Sequence, residues 1–113
     1  METTKNNIFA NIPAIIPEEL FENLLVKENL KIERIVSYGQ VSPVDEWYEQ
    51  FWDEWVLLLQ GSATLEYPNG KLVDLQVGDY VYIPAYSRHR VHWTPPNTET
   101  IWLAIYFSPN QPM

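Results

Sequence analysis

The sequence predicts an all-β domain, a sandwich or closed barrel, preceded by one short helix. From residue 30 onward, apolar runs of four to eight residues recur, some alternating with polar residues and some apolar throughout. Gly, Pro and Asn punctuate them, giving about eight short strands at ~8–12-residue spacing, the pattern of all-β sandwiches and barrels. Pro68-Asn69-Gly70 stands between two strand-like runs, and Asn-Gly in that setting is a strong hairpin signal.

Taken in order, residues 1–16 read as an irregular or extended arm. Pro17 to Leu25 reads as the helix: Pro suits a first helical position, Glu18 and Glu19 suit the positive end of its dipole. Leu20, Phe21, Leu24 and Leu25 would then share one face, packing on the sheet or capping a barrel end. Leu30 to Ser37 alternates like a half-buried strand. Trp55 to Leu59 and Thr100 to Phe107 are apolar at nearly every position, which implies cover on both faces. Ala63 to Tyr67 and Lys71 to Leu75 make the hairpin, Tyr80 to Ile83 is a strand ended by Pro84, and His89 to Thr94 precedes the Pro95-Pro96-Asn97 loop. The expected organisation is an arm and helix at 1–29 packed on one β-barrel domain at 30–113.

Composition narrows the function classes. The 113 residues suit one domain, with 46% hydrophobic residues to fill its core. The net charge of −8 makes nucleic acid a poor partner, because phosphate binding depends on Lys and Arg. Nothing resembles a signal peptide or a membrane span, so no membrane partner is expected. Zero cysteines rule out disulfides and thiolate metal sites and fit a cytoplasmic location.

Two segments carry the chemistry. Glu54 is followed seven positions later by Gly61, and Gly78-Asp79-Tyr80-Val81-Tyr82-Ile83-Pro84 leads to His89. In order, with a hairpin between, they resemble the two motifs of the cupin superfamily over roughly residues 30–107. The Trp47-Tyr48-Glu49-Gln50 segment before Glu54-Trp55-Val56 is similar to a bacterial-type single-domain subgroup of cupins of undefined function. The resemblance implies a double-stranded β-helix, or jelly-roll, barrel with a metal or small-molecule site on its inner wall. Departures are equally plain. Tyr48 and Gln50 stand where histidines are usual, an alternative register would place Trp47 and Glu49 there, Tyr86 replaces a glycine and Trp93 an asparagine. An even step keeps Tyr48, Gln50 and Glu54 on one strand face, which favours the first register.

The resemblance implies a divalent transition metal as cofactor (zinc, nickel, iron or manganese), with Glu54, His89, Gln50 and Tyr48 as candidate ligands. Imidazole suits such ions better than amide or phenol does, so two missing histidines weaken the site. Without metal, the same four side chains would line a cavity holding a small polar ligand. There Glu54 and His89 can serve as acid and base in an isomerisation or epimerisation. A non-catalytic binding or sensing module and a structural dimer with a filled barrel are the alternatives, so whether the chain is an enzyme stays open at this point.

Parity assigns some of the neighbours. His92, three positions from His89, should face outward, as should Arg88 and Arg90. Tyr80, Tyr82 and Trp93, as aromatics in a barrel, are candidate cavity walls with no binding role assigned. Trp55, Leu57 and Leu59 fall opposite Glu54. Covering that apolar face calls for a homodimer.

Overall fold

The computed structural model describes residues 3–109. Eight strands occupy them: β1 (Leu20–Lys27), β2 (Leu30–Ser37), β3 (Asp53–Gln60), β4 (Ala63–Glu66), β5 (Leu72–Leu75), β6 (Tyr80–Ile83), β7 (Arg90–Trp93) and β8 (Thr100–Phe107). They form a five-stranded sheet in the order β1-β2-β8-β3-β6 and a three-stranded sheet in the order β5-β4-β7, with antiparallel pairing throughout. The expected single closed barrel is thus two sheets, and β5 and β6 are left as facing edges. Among the described residues no helix is long and apolar enough to cross a membrane.

The two sheets share one core. Ile35, Val56, Leu58, Ile83, Trp102 and Ala104 from the larger sheet meet Ala63, Leu65, Leu75 and Val91 from the smaller. Alternation along each strand selects them: on β8, Thr100, Trp102, Ala104 and Tyr106 share a face, and β3 sets Leu58, Val56 and Glu54 opposite the last three. Leu58 is 1% exposed, and burying such a side chain contributes about 1.5–3 kcal/mol.

The turns follow their sequence signals. Tyr67 N–H donates to Lys71 O at 3.0 Å and Gly70 N–H to Tyr67 O at 2.9 Å, with Gly70 at φ +85°, closing the β4–β5 hairpin. Gly61, at φ +84°, brings the end of β3 against Glu99 and Thr100. A Cβ there would lie 2.7 Å from Thr100 Oγ1 and 2.8 Å from Glu99 O, so no larger residue fits.

The helix expected at Pro17–Leu25 is not formed; β1 occupies most of that segment and pairs along β2. A bulge between Asn23 and Leu25 explains the misreading. Phe21 pairs with Ile35 on the inner face, and the extra residue then shifts parity so that Leu25 pairs with Ile32 on the outer face. An alternating strand with one added residue imitates helical spacing. Pairing along β2 outweighs a nine-residue helix, which is marginal in isolation.

Arg34 holds this N-terminal part in place. Its Nη1 donates to Ile8 O at 2.9 Å and Ala10 O at 2.6 Å, while its Nε donates to Glu22 Oε1 at 2.8 Å. The arm therefore lies across the outer face of β2, and β1 becomes the sheet edge.

Candidate functional site

Glu54 is the second residue of β3 and projects from its inner face, paired with Tyr106 on β8 and Ile83 on β6. Across from it, His89 precedes β7. An isolated antiparallel bridge fixes His89 beside Tyr48: Tyr48 N–H donates to His89 O at 2.7 Å and His89 N–H to Tyr48 O at 3.1 Å. Their rings sit 5.6 Å apart at 37°. Gln50 joins through both ends. Its carbonyl accepts from Tyr86 N–H at 2.7 Å, and its Nε2 donates to Glu54 Oε1 at 2.9 Å. His89 Nε2 lies 3.6 Å from the same oxygen.

Tyr48, Gln50, Glu54 and His89 thus line one cavity of about 60 Å³ between the sheets, whereas Trp47 and Glu49 do not line it. About 10–15 Å³ of such space holds one water, so there is room for a few waters or part of a small ligand. Ile35, Val56, Leu65, Val91 and Trp102 complete apolar walls. The polar groups therefore converge within an otherwise oily chamber, the usual composition of a ligand site.

The electrostatics follow from burial. Desolvation pushes the Glu54 carboxyl above its usual range, while the charge of His89 and the hydrogen bond from Gln50 offset part of that rise. Tyr48 and Tyr106 are both pushed up, first by burial and then by neighbouring carboxylates, so both stay neutral phenols. His89 Nδ1 lies 3.1 Å from Ser87 O. A carbonyl only accepts, so Nδ1 carries a proton and Nε2 is the nitrogen presented to Glu54 and the cavity.

Sequence reasoning missed part of the lining. Glu19 and Phe21 enter from the N-terminal segment that had been read as helix, and Tyr106 lines the same chamber. Glu19 accepts from Ser37 Oγ at 2.5 Å and is itself pushed up by burial. Only β1 pairing brings it there. Tyr106 was within reach of the sequence, since even positions on the 100–107 strand share the Trp102 face.

Other expectations need correction. Tyr80 and Tyr82 face away from the cavity, 64% and 54% exposed, because Val81 and Ile83 take the inner face. Trp93 lies beyond a register shift between β4 and β7 and is also largely exposed. Arg90 is buried, not outward: it donates to Glu66 Oε1 at 2.5 Å and Ser42 O at 2.7 Å. Arg88 and His92 are exposed as parity suggests, Arg88 over the Trp47 ring at 5.9 Å.

A cupin-domain family model matches residues 36–106, more than half of the chain. The chain is a cupin. A provisional mannose-6-phosphate isomerase from Ralstonia eutropha JMP134 is 41% identical, with 94% of this chain and 99% of that one covered and a TM-score of 0.89. A cupin superfamily protein from Desulfitobacterium hafniense DCB-2 shares the fold at 22% identity, over 86% of this chain and 84% of that one, TM-score 0.71. So does a DMSP lyase from Ruegeria pomeroyi DSS-3 at 15% identity, over 84% of this chain and 49% of that one, TM-score 0.67. No curated protein matches the chain by sequence.

Membership raises the question of a metal, and the donor set answers it. Burial raises the Tyr48 phenol, so ionising it as a ligand costs more than in water, and Gln50 turns its amide nitrogen toward Glu54. One imidazole and one carboxylate remain, and among the described residues no three His, Cys, Asp or Glu side chains converge. Protein-held transition metals need three or four good donors. The residues of this cupin therefore do not fit a tightly held metal.

Proposed function

We propose that this cupin binds a small hydroxylated ligand in the cavity between its sheets and isomerises it by proton transfer, with Glu54 as base and His89 as acid. The observation that carries this reading is the approach of Glu54 Oε1 to His89 Nε2, 3.6 Å apart and both open to one chamber. A carboxyl raised by burial is a stronger base than a free one once ionised, and the charge of the imidazole beside it favours that ionised form. In an aldose–ketose isomerisation, Glu54 would take the proton from the carbon beside the carbonyl. His89, as the imidazolium with a proton on each ring nitrogen, would protonate the carbonyl oxygen through Nε2 to give an enediol. Glu54 would return its proton to the former carbonyl carbon while the neighbouring hydroxyl gives its proton back to His89 Nε2, forming the new carbonyl. Neutral Tyr48 and Tyr106 would donate hydrogen bonds to ligand hydroxyls. The relative provisionally described as a mannose-6-phosphate isomerase supports this reaction class.

The homodimer belongs to the same proposal, with the outer face of Trp55, Leu57 and Leu59 as its contact. A filled, non-catalytic interior is the rival reading, favoured by the Gln50–Glu54 hydrogen bond, which already occupies the carboxylate.

Deuterium uptake separates the two. Mannose 6-phosphate incubated in heavy water with chelator-treated wild type should gain deuterium beside its carbonyl and yield the ketose. Glu54→Gln should lower that rate by ~10²-fold or more, the scale of a lost general base. Equal rates in both proteins, or none in wild type, would leave the filled interior standing.

A further inference from the structure

A second cleft, of about 680 Å³, lies outside the Glu54–His89 chamber. It runs between the unpaired edges of β5 and β6, where the two sheets fail to join. Its lining includes Tyr67, Lys71, Val73, Val81, Ser87 and Arg88, and no carboxylate. That composition is unexpected in a chain with 15 acidic residues against 7 Lys and Arg. Three of the cations are committed elsewhere: Lys31 to Glu33, Arg34 to Glu22 and Arg90 to Glu66. Lys71 and Arg88 have no carboxylate within 4.0 Å among the described residues, and both reach this one cleft.

The cleft is also the next step along the chamber's own walls. Leu65, Ile83 and His89 line the chamber, and Tyr67, Val81 and Ser87, each two residues away, line the cleft. Two residues along extended chain span about 6.6 Å and return to the same face. A ligand a few atoms long therefore reaches from one to the other. Tyr67 stands at the junction, packed against the shared core while lining the cleft.

We infer that the β5–β6 cleft is the subsite for a phosphate group on the ligand, held by Lys71 and Arg88, with the reacting carbons extending toward Glu54 and His89. This rests on the isomerase reading and specifies its substrate class as a phosphorylated small polyol or sugar. The Arg88 fork matches a phosphate with two parallel N–H donors, and its contact with the Trp47 ring holds it ready. Lys71 adds a point charge, and the Ser87 hydroxyl and Asn69 amide supply neutral donors. With no carboxylate among the lining residues, Lys71 and Arg88 are placed to draw an anion to the entrance.

Inorganic phosphate tests the subsite without requiring turnover. Titrated into isotope-labelled protein, it should give saturable amide shifts confined to residues 69–71 and 87–88. Affinity should fall roughly tenfold or more in the double variant Lys71→Ala, Arg88→Ala, because each charged hydrogen bond lost is of that order. Both side chains sit on the rim, so the variant's spectrum should otherwise match wild type, and Lys71→Arg should retain binding. Mannose 6-phosphate should shift the same residues, and mannose should not. Absent or unsaturable shifts, or equal binding by the double variant, overturn the subsite. Phosphate binding in the cleft with no deuterium uptake would instead remove the isomerase reading and leave the subsite intact.

Discussion

Burying the Glu54 carboxyl beside a single imidazole makes stability depend on pH in a definite direction. The folded state holds this group's proton more tightly than the unfolded chain does, because burial raises it from an ordinary value of 4.5. Below that value both states are protonated and the fold bears no penalty. As pH rises through the raised range, the unfolded chain ionises freely while the folded one must bury a charge, and stability falls. Glu19 works in the same sense, also through burial. Glu54→Gln keeps the shape and removes the titration. The variant should therefore be more stable than wild type above neutral pH, with the gain shrinking to nothing near pH 4. Denaturant midpoints measured across that range check it, and a gain independent of pH would contradict the cause given. Tyr86 shows how much single residues let the sequence disclose. It holds φ +65° where the superfamily usually has glycine, a conformation costing a non-glycine residue about 1–2 kcal/mol. The turn is kept despite the substitution, so the motif could be recognised through it.

Among the elements, β2, β6 and β8 were legible to the residue: alternation marks β2, Pro84 ends β6, and β8 stands out as an apolar run after the Pro95-Pro96-Asn97 loop. The β4–β5 hairpin was legible from Asn69-Gly70. β1 was not, since its bulge breaks the period by which a strand is recognised. That one misreading hid Glu19 and Phe21 from the candidate site, while Glu54, Gln50, Tyr48 and His89 were named from the family spacing. Tyr80 and Tyr82 were misplaced for a different reason: aromatic content suggested walls, yet the pairing of Glu54 with Ile83 decides the face. Arg34 adds a side-chain tie to the backbone pairing of β1 with β2: it joins Glu22 of β1 and Ile8 and Ala10 of the arm while only 7% exposed in its side chain. Arg34→Ala should cost about 2–4 kcal/mol, the range for breaking a buried, hydrogen-bonded charge pair. Amide exchange should accelerate across Leu20–Lys27 before it does in β3 or β8. Uniform acceleration would mean that β1 is not a separately attached element.

For the whole molecule, the outer face of the larger sheet is the outstanding physical problem. Pairing aligns Tyr80 with Leu57, Leu57 with Leu103, Tyr82 with Trp55 and Trp55 with Ile105, so one apolar surface crosses three strands. The N-terminal arm reaches β2 through Arg34 and leaves the β3–β6 side open, where Tyr80 and Tyr82 are more than half exposed. The proposed two-fold pair would bury this patch from both partners at once. A stable pair of this type hides about 800 Å² on each chain. Sedimentation of wild type should then give twice the 13.3 kDa chain mass. Leu57→Glu places a charge at the centre of the patch, half-buried and outside the core, so the fold should persist while the pair separates. Leu57 does not line the β5–β6 cleft, and Lys71 and Arg88 are untouched by the substitution, so the separated chain should still take up phosphate there. A wild-type protein sedimenting only as a 13.3 kDa species would remove the dimer and leave the cavity argument untouched.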